Sequence, residues 1–120
     1  MARYADAFFM DGLLERLEGT TTLTVTAGEP TDLADIATRA LASTTIDAAD
    51  WTLADDGDGR RADIAQQADL EIDESGEADH VVVDDGTNYY VTVCDAQQLT
   101  SGGTVTVGTW GVSVGAPTAP

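Results

Sequence analysis

The sequence predicts a mainly β protein, an antiparallel β-sandwich or small barrel with an N-terminal amphipathic helix and one short second helix. Three observations predict it. The opening segment carries apolar residues at helical spacing, the next alternates threonine with aliphatic residues, and the second half is a series of short extended stretches parted by turn residues. A chain of 120 residues suits a single domain whose core needs no disulfide or metal staple. The expected division is a helix over 1–19, a β-rich body over 20–115 and an extended tail over 116–120.

From Tyr4 to Glu18, Phe9, Leu13 and Leu17, flanked by Met10 and Leu14, fall on one side of a helix, with Asp11, Glu15 and Glu18 on the other. Gly19 stands where a left-handed cap would end it. Thr20 to Thr26 has the two-residue period of a half-buried strand, with Leu23 and Val25 inward and threonines outward. Gly28-Glu29-Pro30 closes that strand. Thr31 then sits at an N-cap position before a short helix over Leu33 to Leu41, with Asp32 and Asp35 in its first turn. Ser43 to Asp50 is small and polar, Trp51 and Leu53 suit a brief extended piece, and Asp55 to Gly59 reads as a turn. The extended candidates that follow are Arg61 to Gln67, Ala68 to Asp73, His80 to Asp84, Asn88 to Asp95, Thr104 to Trp110 and Val112 to Val114. Their connectors at Glu74-Ser75-Gly76-Glu77, Asp84-Asp85-Gly86-Thr87 and Ser101-Gly102-Gly103 are of hairpin grade, and Asp85-Gly86 suits a type I′ turn.

The charge is extreme. Five basic residues against 22 acidic ones give a net charge of -17, and all five are arginine. At ordinary ionic strength the screening length is about 8 Å, so these carboxylates repel one another across a small sphere; at molar salt it falls to about 3 Å. The balance is that of a surface adapted to brine, and a hydrophobic content of 42% separates the chain from acidic disordered sequences. Nucleic acid is excluded as a direct partner, because phosphate affinity rests on Lys and Arg displacing counterions. No apolar run approaches the roughly 20 residues of a membrane span, and the N-terminus has no basic region leading into an apolar stretch and cleavage site. The chain is expected to be soluble, without membrane contact.

The residue types that carry chemistry do not fall into a recognisable site pattern. Asp55 to Asp58 invites a calcium reading, but Arg60 occupies the third ligand position, and a solvated acidic loop is the better account. His80 is the sole histidine, no G-x-S-x-G elbow is present, and Val81-Val82-Val83 beside it mark a structural histidine at a strand start. Cys94 has no basic neighbour to stabilise a thiolate and reads as a small buried hydrophobe. Paired carboxylates carry no diagnostic weight among 22 acids. Tyr89, Tyr90, Trp51 and Trp110 fill the core or a subunit contact in preference to a sugar-binding face. No catalytic, cofactor-binding or metal residue is assigned, and the chain is expected not to be an enzyme.

The order of motifs resembles small structural proteins of tailed bacterial and archaeal viruses. An amphipathic helix is followed by a strand leading into an E-P-T segment, Leu23 to Thr31, and then by a G-R pair before an extended stretch, Gly59-Arg60. Gly76 precedes a strand opened by His80, with Asp84 at the following turn; Thr100-Ser101-Gly102 leads into a final strand pair and a proline-containing end at Pro117. The chain differs in its acidic substitutions and in Val82 and Val83, where the family carries aromatics. The resemblance implies a non-enzymatic component of the virion, assembled in the host cytoplasm: a head decoration or turret protein, self-associating and attached to the major capsid protein. A tail or connector component is the second placement it allows, and a glycan-binding adhesin module is the competing class.

Overall fold

The computed structural model describes residues 7–57 and 59–114, with the side chains of residues 7–10 and 13 outside the description. The predicted helix start at Tyr4, the side chains of Phe9, Met10 and Leu13, the loop residue Asp58 and the tail over 116–120 therefore lie outside the described residues.

The described residues are mostly β, with three antiparallel sheets and two α-helices. Helix α1 (Ala7–Glu18) leads into β1 (Thr22–Thr26), then α2 (Leu33–Arg39), β2 (Ala40–Thr45) and a single 3-10 turn at Ala48–Asp50. There follow β3 (Trp51–Asp56), β4 (Gly59–Ile64), β5 (Gln67–Glu71), β6 (Gly76–Asp84), β7 (Tyr89–Leu99), β8 (Thr104–Val107) and β9 (Trp110–Val114). One sheet has the order β2-β1-β6-β7, a second β3-β4-β9, and a two-stranded ribbon joins β5 to β8. The arrangement is that of a small β-sandwich, as the alternation and turn spacing predict.

The centre of the fold is the β1–β6 pair, in register from Thr22 opposite Asp84 to Thr26 opposite His80. Leu23, Val25, Val81 and Val83 point into the main core, where Leu14, Trp51, Ala62 and Ile64 meet them from α1 and the second sheet. The consecutive valines Val81, Val82 and Val83 are all buried, so this part of the sheet is covered on both faces. The cover on the second face is α2, whose Leu33 and Ile36 lie over Thr22 and Thr24.

That cover corrects one expectation. The threonines of β1 do not face outward: Thr24 is 3% exposed and Thr26 fully buried. Thr26 resolves its polarity by donating from Oγ1 to the Gly28 carbonyl at 2.9 Å.

Local chemistry corrects others. Gly19 has no left-handed backbone; α1 instead ends in tight turns, with Gly19 N–H on the Arg16 carbonyl and Thr20 N–H on that of Leu17. The N-cap of α2 is Asp32, not Thr31, because the Asp32 carboxylate accepts the Asp35 N–H at 2.8 Å. That helix stops at Arg39, short of Leu41, and Ala40–Thr45 becomes a strand where a helix end and a polar connector are expected, because pairing with β1 overrides the helical leaning of Ala-Leu-Ala. A bulge opposite Val25 and Thr26 inserts Leu41 as an extra residue, so Leu41 and its neighbour Ala42 are both buried.

Among the connectors, Asp85-Gly86 does join a hairpin, β6–β7. Its loop is four residues long, with only Gly86 at positive φ (90°), so the turn is not type I′; Asp85 closes it by accepting the N–H groups of Thr87 and Asn88. The other two connectors are not hairpins, because β5 pairs with β8 across the sequence that separates them. Trp110 begins β9 and does not extend β8.

A short hydrogen-bond chain ties α1 to the second sheet. The Trp51 indole N–H donates to Thr20 Oγ1 at 3.2 Å, and that hydroxyl donates to the Leu17 carbonyl at 2.5 Å, all of it buried. Replacing Thr20 by the near-isosteric valine leaves a buried indole N–H without an acceptor. The expected loss for Thr20→Val is about 1–3 kcal/mol, measured by denaturant titration in molar salt; a loss below a few tenths of a kcal/mol would show that the chain contributes nothing.

Candidate functional site

The feature that stands out from an acid-coated surface is the free edge of the four-stranded sheet. β7 is its last strand, as β9 is of the second sheet, and two solvent-open grooves run alongside. One, of about 480 Å³, has Thr92, Cys94, Val105, Val107 and Trp110 on its walls; the other, about 580 Å³, lies between α1, β7 and β9, with Leu14, Leu17, Tyr90, Val112 and Val114. Among the described residues the first is lined by one charged side chain, Asp95, and the second by Arg16 and Asp85.

An aromatic row links the interior to this edge. Trp51 is buried and meets Trp110 edge to face, with centroids 5.9 Å apart; Trp110 is stacked with Tyr90 at 6.5 Å, and Tyr90 is 41% exposed. The tryptophans thus fill the core and its margin, while Tyr89 and Tyr90 reach the surface. Trp110 Nε1 is buried with no hydrogen-bond partner among the described residues, an unsatisfied donor beside the first groove. Together with Val93, which is 75% exposed, Tyr89 and Tyr90 are the large apolar side chains left open among the described residues.

The residues singled out for chemistry do not gather here. His80 bonds through Nδ1 to Asp79 Oδ1 at 2.8 Å, and that oxygen also accepts the Gly28 N–H at 2.7 Å, pinning β6 to the turn after β1. The His80 bond, with Gly28 second, holds the Asp79 carboxyl below the usual aspartate range. Cys94 is half-buried on a groove wall, less enclosed than expected of a core hydrophobe, and burial pushes its thiol up, away from a reactive thiolate.

The acidic turn at Asp55 holds a cation of the chain's own. Arg60 donates from Nη1 to Asp55 at 2.6 Å and from Nε and Nη2 to the two oxygens of Asp11 at 2.7 and 3.2 Å, clamping α1 onto the β3–β4 hairpin. Gly59-Arg60, read from sequence as a motif before an extended segment, is the start of β4 and the anchor of the first helix; nothing in the sequence pairs Arg60 with a residue 49 positions away. Among the described residues no group of three or more His, Cys, Asp or Glu is placed to hold a metal ion, and no helix is long and apolar enough to cross a membrane.

Comparison with known proteins leaves the site to be argued from its own geometry: no family model matches the chain, nor does any curated protein or solved structure.

Two predictions follow from these contacts. Arg60→Met should lower the thermal midpoint and speed amide exchange across α1 before the sheets exchange; uniform exchange across both would show that Arg60 does not anchor the helix. For acid, three carboxyls are depressed: Asp35 by its bond to Arg39, Asp79 by His80, and Asp85 by the N–H groups of Asn88 and Thr87. A depressed folded value contributes stability above the ordinary aspartate value that is lost as pH falls through the folded one. In molar salt, where general repulsion is screened, the melting temperature should hold from neutrality down to about pH 4 and then fall. A decline beginning between pH 7 and 5 would assign the stability to other groups.

Proposed function

We propose that this chain is a non-enzymatic structural protein of a halophilic tailed virus, an accessory protein of the head seated on the major capsid lattice as a decoration or turret. The observation that carries the reading is the pairing of an acid-coated exterior with a sheet-edge segment, Tyr89 to Val93, that is uncharged and carries exposed apolar side chains. A freely diffusing protein in brine gains nothing from open tyrosines and valine, whereas a lattice protein needs a contact that survives salt. The ordered resemblance along the chain, from the first helix through Glu29-Pro30-Thr31, Gly59-Arg60 and His80 to the final strand pair, points the same way.

Attachment through such an edge draws on apolar burial and backbone hydrogen bonds, which screening leaves intact. Copies repeated on a symmetric shell turn a weak contact into a durable one. The partners under this reading are the major capsid protein and further copies of the chain, with no nucleic acid and no membrane. A second reading has its own support: stacked Tyr90 and Trp110 beside open grooves offer the flat aromatic face on which a sugar ring packs, as in an adhesin module. A tail or connector position is the third.

Cryo-electron microscopy of intact particles, reconstructed with and without imposed symmetry, tests placement: density for this fold should recur over the head shell. Density confined to the tail would move the assignment there, and binding to a glycan array abolished by Tyr90→Ala would favour the adhesin. The purified protein should also melt at progressively higher temperature as salt is raised to molar levels; a midpoint indifferent to salt would remove the halophilic argument.

A further inference from the structure

We propose that two copies of this chain join about a two-fold axis by adding β7 to β7, antiparallel and centred on Val91, so that the two four-stranded sheets become one. The proposal deepens the self-association suggested above and rests on that reading only for the setting in which copies meet; the pairing itself is a property of the isolated chain.

The part of β7 able to accept a strand is short and well defined. Tyr89 to Val93 runs in unbroken register with Asp84 to His80, after which the register shifts and resumes with Gln97 opposite Ala78. The irregular stretch interrupts the ladder, so a flat free edge extends over Tyr89, Tyr90, Val91, Thr92 and Val93. All five are aromatic or β-branched and none is charged, the composition that best fits a strand interface. The edges of β8 and β9 are also uncharged, but among the described residues the exposed large apolar side chains lie on β7.

The occupant is identified by charge and self-complementarity. A chain carrying -17 repels its own copies everywhere except where carboxylates are missing from both surfaces. Centring on Val91 sets Tyr89 opposite Val93, Tyr90 opposite Thr92 and Val91 opposite itself, so that each exposed side chain meets an aromatic or β-branched one. Beyond this segment the same register sets Asn88 opposite Cys94, Asp85 opposite Gln97 and Asp84 opposite Gln98, and no carboxylate faces another. Moving the centre to Thr92 sets Tyr89 against Asp95, and moving it to Tyr90 leaves Val93 opposite Thr87. Only the Val91 centre uses the whole segment, and an isologous contact of this kind closes on itself.

Equilibrium sedimentation of the isolated protein tests the pairing. In molar potassium chloride a monomer–dimer equilibrium is expected that weakens as salt is lowered. Val93→Asp, at a position open enough to leave the monomer fold intact by circular dichroism, should weaken the dimer by on the order of tenfold or more, since each dimer carries the change twice. Thr104→Asp, on β8, should leave it unchanged. Register is read separately: Val91→Cys in a Cys94→Ala background should form an interchain disulfide under mild oxidation, whereas Cys94 in the native chain, facing Asn88, should not. A protein monomeric at every concentration in molar salt overturns the proposal, as does a dimer indifferent to Val93→Asp that Val91→Cys fails to cross-link. Neither result touches the virion role, which the particle reconstruction decides by itself.

Discussion

Everything in this fold hangs on the β1–β6 pair being buried on both faces. A strand with one buried face needs one cover; Val81, Val82 and Val83 in succession need two. The second sheet and α1 close over Leu23, Val25, Val81 and Val83, and α2 closes over Thr22 and Thr24 on the other face. The placement of α2 between two adjacent antiparallel strands, where a short hairpin would otherwise serve, follows from that need: the chain leaves the sheet after β1, crosses its outer face and returns as β2.

The charge load is compatible with this core because the arginines are spent locally. Arg39 bonds Asp35 at 2.7 Å, Arg60 bonds Asp11 and Asp55, and Arg61 bonds Asp63 at 2.6 Å. Surface pairs of this kind contribute little singly, and in concentrated salt less still. What they do is position elements, Arg60 above all. No described Asp or Glu is buried, and screening by salt weakens the repulsion among them.

The fold class was legible in the sequence because its signals are local: the helical spacing ahead of Gly19, the alternation around Leu23 and Val25, and the Asp85-Gly86 turn. What was not legible depends on contacts between distant segments. Ala40 to Thr45 leans toward helix until β1 lies beside it, the threonines of β1 look like an outer face until α2 covers them, and nothing local pairs β5 with β8 or Arg60 with Asp11. The candidate site was half legible. Tyr89 and Tyr90 were read as core or contact residues, but their exposure follows from β7 being the last strand of its sheet, a fact of strand order.

An exposed apolar edge is ordinarily a hazard, and the two edges of this sheet handle it differently. Beyond β2, Ala42 bridges to Ile72, and the Leu41 carbonyl accepts the N–H groups of Asp73 and Glu74, so the start of that edge is occupied by the chain itself. On β7 the free edge runs in unbroken register over Tyr89 to Val93, where a register shift interrupts it. When two β7 edges meet, the exposed tyrosines and valine of both are covered, and the apolar segment is no longer available to a third copy. Ionic contacts could not supply this selectivity in brine, where screening blurs them. Backbone hydrogen bonds in a fixed register can, because they act over one bond length and demand alignment, so under the proposed reading the salt that screens the acidic surface would favour an assembly specified by strand geometry.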